Sequence, residues 1–264
     1  MVLLETTRSI GYTQSPDGEH WSTPEIVVKP DSSVAGQTDV NRPTVSVVNG
    51  FYHMWFTGQS AIGSQIYYAT SSDGLSWTKV AANPVIHPEQ DWEKVAVMCP
   101  DVLWDPAANI FKMWYSAGEQ YEPDAIGYAT SPNGLQWKRP NSLPTFSSDP
   151  KHPWEKAKVT GGNVHLLDGW YIMFYIGFAD VNHAGIGLAR SRDGVKDWQR
   201  HPLNPILQPP GVLNPLAWDR DAIYRPAALL DDRGWSVWFN GRRSGVEQIG
   251  LAKHARRDLG FDTL

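Results

Sequence analysis

The apolar runs of this chain are short, rich in β-branched and aromatic residues, and broken by Asn-Gly, Asp-Gly and Asp-Pro pairs, so the sequence reads as strand and turn throughout. One run returns almost unchanged. A strand of the type Ile-Gly-Tyr-Ala-Thr-Ser, then an Asp-Gly or Asn-Gly turn, then a tryptophan, occupies Ile10 to Trp21, Ile66 to Trp77, Ile126 to Trp137 and Ile186 to Trp198. The isoleucines are 56, 60 and 60 residues apart, and a fifth copy of the strand, Ile249 to Ala252, follows 63 residues later without its turn. An all-strand repeat of roughly 40 to 60 residues predicts a β-propeller, in which each sheet buries its faces against its neighbours.

Aligning the copies gives four strands per repeat. The first opens at Arg42-Pro43, Cys99-Pro100, Gly161-Gly162 and Arg225-Pro226. The second is the most aromatic: His53 to Phe56, Lys112 to Tyr115, Ile172 to Tyr175 and Ser236 to Phe239. The third is the Ile-Gly-Tyr-Ala strand, whose Gly11, Gly127, Gly187 and Gly250 imply a bulky neighbour packed over them. The fourth carries the tryptophan. The reading is thus all-β, a five-bladed β-propeller in one domain over 1–264, with a partial blade over 1–30 and blades at about 40–82, 98–140, 158–203 and 222–264. Only nine residues precede Ile10, so the N-terminal blade lacks its first two strands. Either residues 1–9 supply one makeshift strand or the chain is a fragment.

Composition narrows the function. The net charge of −5 leaves no basic footprint for nucleic acid, and no apolar run reaches the roughly 18 residues of a membrane span. The expected partner is an oligosaccharide or glycoside, with neither nucleic acid nor membrane. Cys99 is the sole cysteine, which excludes an intrachain disulfide and a cysteine metal site. No His, Asp and Glu spacing specifies a metal, and no cofactor is expected. Residues 1–9 lack the basic start and apolar stretch of a signal peptide, so the chain as given reads as cytoplasmic; a truncated N terminus would have lost any export signal. The 13 tryptophans suit sugar stacking, but most recur at fixed repeat positions and read as wedge fillers.

Repetition also sorts the polar residues, because four-fold copies do not build one active site. Asp17, Asp73, Asn133 and Asp193 therefore read as turn residues. Trp92-Glu93-Lys94, Trp154-Glu155-Lys156 and Trp218-Asp219-Arg220 recur in three connections and read as pins, each an anchored indole with a local ion pair.

The aromatic second strand, the Ile-Gly-Tyr-Ala-Thr-Ser strand, the Asp-Gly-x-x-Trp turn and the Asn-Pro stretches at Asn83 and Asn204 together resemble the five-bladed propeller glycoside hydrolases of the arabinanase, levansucrase and invertase type. Families 43, 32, 62, 68 and 130 are the relatives that this resemblance implies. Cys99-Pro100-Asp101 resembles the Ala-Pro-Asp of family 43, which would make Asp101 the residue that orients and tunes its partners. The glutamate expected next in that family is replaced around Thr160 to Asn163. Family 32 has Arg-Asp-Pro and Glu-Cys-Pro where this chain has Asn41-Arg42-Pro43 and Met98-Cys99-Pro100, so both carboxylates are absent.

First-strand starts and second-to-third-strand loops are expected at one channel mouth. Carboxylates there that break the repeat are Asp39, Asp101, Glu119, Glu122, Asp124, Asp180, Asp221 and Glu247. Glycoside hydrolysis needs two of them, one protonated and one charged. Asp101, Asp221 and Asp39 rank first as catalytic candidates, with Glu119 as a candidate proton donor if burial raises its pKa. Arg42, Arg225, Arg242 and Arg243 are candidate substrate-binding cations. His183 lies beside Asp180, and His165 lies on an inner strand. The leading function is cleavage of a furanosidic or related glycosidic bond. The alternatives are a phosphorylase of the family 130 kind, in which the arginines hold phosphate, and a non-catalytic carbohydrate-binding propeller.

Overall fold

A computed structural model describes residues 7–34, 36–121 and 123–261. Residues 1–6 of the 1–9 segment expected to supply a makeshift strand, and Glu122, lie outside the described residues; residues 7–9 are not in a strand. Apart from two single-turn 3₁₀ segments, Asp91–Glu93 and Gly211–Leu213, the regular structure is entirely strand. The chain divides into two compact units, one of residues 1–123 and 127–143, the other of residues 124–126 and 144–264.

In the first unit β1 (Ile10–Tyr12) pairs with β2 (Glu25–Val28). Strands β3 (Asp39–Val48), β4 (Phe51–Ser60), β5 (Gly63–Ser71) and β6 (Thr78–Lys79) form an antiparallel meander. Strands β7 (Ala96–Asp105), β8 (Ile110–Gly118) and β9 (Pro123–Ser131) form the next. In the second unit β10 (Phe146–Ser147) pairs with Ala125 and Ile126 of β9. There β11 (Lys158–Leu167), β12 (Trp170–Asp180), β13 (His183–Ser191) and β14 (Gln199–Arg200) repeat the meander. A three-stranded sheet of β15 (Ala222–Asp231), β16 (Gly234–Arg243) and β17 (Val246–His254) follows.

All four first strands begin three residues before the position read from the sequence. The Pro or Gly that suggests a strand start is in fact a bulge inside the strand. Pairing slips between Asn41 and Thr44, Met98 and Asp101, Thr160 and Asn163, and Tyr224 and Ala227. The first bulge residue is left-handed each time, with φ of 52° at Arg42, 52° at Cys99, 61° at Gly161 and 56° at Arg225. Only Gly161 takes that conformation without cost; for the others it costs roughly 1–2 kcal/mol.

The aromatic second strands fill the cores. Trp55, Met113 and Tyr115 are fully buried in the first unit, where the Trp55 indole also donates to the Gly134 carbonyl at 3.0 Å. Phe174 and Trp235 centre the corresponding cluster of the second unit. The repeated turns are closed by their own side chains. Ser71 Oγ accepts from the Asp73 and Gly74 amides, Asp73 Oδ1 accepts from those of Leu75 and Ser76, and the Trp77 indole caps the Gly74 carbonyl at 3.0 Å. Those backbone donors hold the Asp73 carboxyl well below its usual range, and the His20 and Glu19 amides do the same at Asp17.

The connection motifs are pins, but their ion pairs are not local. Glu93 is fully buried and takes Arg139 Nε at 2.8 Å, the Tyr115 hydroxyl at 2.7 Å and the Glu89 amide at 2.7 Å, while Lys94 pairs instead with Glu119 at 3.0 Å. Glu155, also fully buried, takes Arg200 Nε and the Tyr175 hydroxyl, both at 2.5 Å. A carboxylate with no exposure needs a partner that brings both charge and geometry, and an arginine 45 or 46 residues away on the fourth-strand segment supplies them. The indoles are held by packing rather than hydrogen bonding. A Cβ on Gly177 would lie 2.3 Å from Trp154 and one on Gly187 2.5 Å from it, whereas Gly11 meets nothing closer than 3.5 Å. The bulky neighbour expected over the third-strand glycines is therefore present at Gly127, Gly187 and Gly250 and not at Gly11.

Removing the charge at one pin leaves its arginine buried and uncompensated. Glu155→Gln is expected to lower unfolding free energy by about 3–5 kcal/mol. A urea midpoint unchanged from the parent protein would show that the Glu155–Arg200 pair carries no such weight.

Candidate functional site

The connection before β15 departs from the other two. Asp219 stands where Glu93 and Glu155 stand, and Phe239 replaces Tyr115 and Tyr175, so the hydroxyl that would complete the cluster is gone. Asp219 makes no ion pair with a described residue, and Arg220 turns to Asp221, its Nε donating to Asp221 Oδ1 at 2.6 Å. The other oxygen of Asp221 accepts the Ser244 amide at 2.6 Å. The Arg220 guanidinium, then the Ser244 amide, hold the Asp221 carboxyl below its usual range.

Asp221 faces a cavity of about 680 Å³ lined by Trp154, Asn182, His183, Arg220 and Arg242 among others. That volume lies within the range of small-molecule sites. Asp180, at the hairpin that closes the cavity, accepts the Asn182 amide at 2.9 Å and contacts His183 Nδ1 at 2.8 Å, so the Asp180–His183 pair is a turn motif that also orients the imidazole.

Next to Asp221 in the same unit stands a second polar cluster. The Tyr224 hydroxyl donates to Glu247 Oε1, and Asn240 Nδ2 donates to Glu247 Oε2 at 3.1 Å. Desolvation pushes the Glu247 pKa up, but the Tyr224 hydroxyl, Arg225, Asn240 and Arg242 outweigh it and the net shift is downward. Desolvation, then the bond to Glu247, raises the Tyr224 phenol to about 12. Arg225 and Arg242 stand over the Tyr224 ring at 5.4 and 6.0 Å from its centroid. Arg243 donates to the Leu216 carbonyl at 2.7 Å.

Of the remaining candidates, Asp39, Asp101, Glu119 and Arg42 belong to the first unit and Asp124 to the second. Asp39 accepts the Arg8 amide at 2.8 Å and borders a smaller cavity of about 200 Å³ with Gln59, Gln120 and Tyr121. Glu119 is 56% exposed and paired with Lys94, without the burial that a proton donor of the expected kind requires. Asp124 pairs with Lys158 at 3.3 Å. Arg42 lies on sulfur, with its Nη1 2.5 Å from Cys99 Sγ and 3.5 Å from Met98 Sδ.

Asp101 follows its bulge at the register of Thr44 and Asn163. Those two side chains join adjacent first strands: Thr44 Oγ1 accepts the Val102 amide at 3.4 Å and Asn163 Oδ1 accepts the Ala228 amide at 2.8 Å. Asp101 thus occupies a position that serves strand-to-strand bonding in two other repeats.

The family pattern described as "Glycosyl hydrolases family 32 N-terminal domain" matches residues 8–160, more than half of the chain. This chain belongs to that family. An uncharacterised Mycobacterium tuberculosis protein is 32% identical over 130 residues, covering 49% of this chain and 42% of that one. An acid beta-fructofuranosidase of Vicia faba is 23% identical over 84% of this chain and 35% of its own length. The chain thus spans less than half the length of these curated relatives. Among solved structures, a thermostable family-43 glycoside hydrolase superposes with a TM-score of 0.72 at 16% identity over 94% of this chain and 82% of its own. The fold is shared with β-propeller glycoside hydrolases. Arg42 and Met98, which the sequence resemblance sets at the two carboxylate positions of family 32, are in contact, with Arg42 Nη1 3.5 Å from Met98 Sδ. No described residues form a group of three or more His, Cys, Asp and Glu able to hold a metal. No helix among the described residues is long and apolar enough to cross a membrane.

His165, the other histidine singled out in the sequence, packs edge-on against Trp235 at 5.1 Å, and its Nε2 contacts Asn163 Oδ1 at 3.0 Å. Burial lowers its pKa from 6.5 to about 4. A base whose folded pKa is depressed binds its proton in the unfolded chain first. Its stabilising contribution is therefore complete above pH 6.5 and is lost as pH falls toward 4. The loss is expected to reach about 3 kcal/mol. Urea unfolding at pH 7 and pH 4 should show it, and His165→Gln should flatten that slope; an equal slope in both proteins would assign the acid sensitivity to other groups.

Proposed function

We propose that this chain is a propeller glycoside hydrolase, with five blades, that cleaves a glycosidic bond of a furanoside or related glycan without the carboxylate pair that the family 32 pattern places at Arg42 and Met98. The observation that carries the reading is the cavity before β15, where Asp221, Arg220, Arg242, His183 and Trp154 come together in a space of sugar dimensions. An aromatic face and guanidinium donors are parts that bind the face and hydroxyls of a pyranose or furanose ring, and a carboxylate held in its charged form is the part that stabilises positive charge at its anomeric carbon. Asp221 is the proposed charged carboxylate, serving as base or nucleophile. Asp39, which borders its own cavity, is kept as a separate candidate carboxylate. Asp101 is proposed as a strand-joining acceptor in the manner of Thr44 and Asn163, and Glu119 as a surface ion-pair partner.

Two other readings keep specific support. Glycan binding without cleavage is favoured by the replacement of both family carboxylates and by the lowered pKa of both Asp221 and Glu247, which leaves neither as a proton donor near neutrality. Phosphorolysis loses support from the arginines: Arg42 lies on two sulfurs and Arg243 on a backbone carbonyl, so the four cations do not form one clamp.

Release of aryl alcohol from a panel of nitrophenyl glycosides, and of hexose from fructosides, with and without inorganic phosphate, separates the three. Hydrolysis independent of phosphate is expected, with Asp221→Asn lowering kcat by about 100-fold or more. Turnover only with phosphate would replace the hydrolase by the phosphorylase. Glycan binding with no turnover would leave the binding module. Asp101→Asn is expected to keep kcat within about twofold, since Asn163 performs the equivalent bonding with an amide; collapse of kcat at unchanged melting temperature would restore Asp101 to the chemistry.

A further inference from the structure

We propose that His183 is the proton donor of the cavity before β15: its imidazolium, held by Asp180, protonates the leaving oxygen of the bound glycoside while Asp221 serves the anomeric carbon. The inference rests on the reading that the chain hydrolyses a glycoside, and it supplies the acid that this reading lacks.

The cavity has a carboxylate but no carboxylic acid. Asp221 is the one carboxyl group among the described residues that line it, and the Arg220 guanidinium and the Ser244 amide hold that group in its charged form. A carboxyl group serves as an acid near neutrality only when burial or a like charge raises its pKa. An imidazole needs no such help, because histidine changes charge between about pH 5 and 8 by its own chemistry. The 72% exposure of the His183 side chain is therefore no bar to the role, whereas exposure does bar Glu119.

The hairpin that joins β12 and β13 orients the ring. Asp180 and His183 stand opposite each other across it. Asp180 Oδ1 accepts the amides of Asn182 at 2.9 Å and His183 at 3.2 Å, so the backbone fixes the carboxylate before the imidazole meets it. The Asn182 amide first, then the imidazole, keep Asp180 below the usual carboxylate range. Its two oxygens lie 2.8 and 2.9 Å from His183 Nδ1. An ionised carboxylate only accepts, so Nδ1 carries a proton and Nε2, which bonds to no described residue, is the atom that exchanges one. The other charged groups on the cavity wall are Arg220, Asp221 and Arg242. Of all four, Asp180 alone is bonded to the imidazole, and its negative charge favours the protonated ring.

The pair also breaks the repeat. At the register of Asp180 the hairpins β4–β5 and β16–β17 carry Ser60 and Arg243, and at that of His183 they carry Gly63 and Val246.

The step balances with water alone. The bond between the anomeric carbon and the glycosidic oxygen breaks, its electron pair stays on that oxygen, and the oxygen takes the Nε2 proton and departs as an alcohol. Water supplies the hydroxyl that ends on the anomeric carbon, and its released proton restores Nε2 directly or through Asp221.

The test is the leaving-group dependence of kcat/KM on one sugar, with dinitrophenyl, nitrophenyl, phenyl and alkyl glycosides, in the parent protein, His183→Gln and Asp180→Asn, each shown to be folded by circular dichroism and melting temperature. His183→Gln is expected to lower kcat/KM for the alkyl glycoside by about 100-fold or more and for the dinitrophenyl glycoside by far less, because dinitrophenolate leaves without a proton. A group that must be protonated loses activity as pH rises through its pKa. The parent protein should therefore show a fall in kcat/KM on the basic side that His183→Gln abolishes and Asp180→Asn moves to lower pH. An equal loss across the series, or a basic limb unchanged in both variants, would overturn His183 as the acid and leave the hydrolase standing. Turnover only with phosphate, or no turnover of any glycoside by the parent protein, would overturn both.

Discussion

The buried carboxylate in two of the three connections is the constraint on which these sheets depend. Glu93 and Glu155 have no solvent contact, so each must find a cation and a hydroxyl inside the protein. The cation comes from the fourth-strand segment and the hydroxyl from the second strand. One ionised group therefore ties the incoming connection to both the middle and the outer part of its sheet, and the arrangement tolerates only one register of the three. Breaking the set costs more than forming it yields, because the partner left behind is a charge without water. The tryptophan beside each glutamate adds a steric lock. Trp154 occupies space that exists only because Gly177 and Gly187 lack side chains.

The same constraint explains where the chain is able to differ. A repeat in which all three partners are present has no side chain to spare in its connection. In the connection before β15 the glutamate has become Asp219 and the tyrosine Phe239, and the neighbouring Arg220 is bonded to Asp221 rather than to a buried acid. Two charged groups are thereby delivered to the edge of a cavity. The packing of Trp218 against Gly241 and Gly250 is kept, so the steric lock survives while the ionic one is lost. Proposed function follows the broken copy of the motif for this reason, since scaffold residues recur and site residues do not.

Much of the fold was legible because the strands repeat with their turns. The Asp-Gly turns, the aromatic second strands and the glycines under Trp154 and Trp218 all appear where the repeat places them. The strand starts were read three residues late because Pro43, Pro100 and Pro226 look like strand openers, and sequence alone does not show that a bulge lets a strand pass through a proline. The ion pairs were misread for a similar reason. Glu93 and Lys94 are adjacent in the chain, but Glu93 ends a 3₁₀ turn and Lys94 leaves it with a left-handed backbone, and the partner of Glu93 stands 46 residues on. Among site candidates, Arg225 and Arg242 are both legible as substrate-binding cations, but their convergence on the Tyr224 ring is not. Nor is the link from Tyr224 to Glu247, since it depends on the register of β15, β16 and β17 together.

The contact of Arg42 with Met98 and Cys99 shows how far chemistry can change on a constant frame. The bulge that carries Arg42 has the same left-handed backbone as the one that carries Cys99, and both are followed by proline. The two side chains that the family pattern would make acidic are here a guanidinium and a thioether, and the guanidinium turns to sulfur rather than to a carboxylate. A cation placed where an acid pair would act repels the positive charge that develops on a sugar during glycoside cleavage.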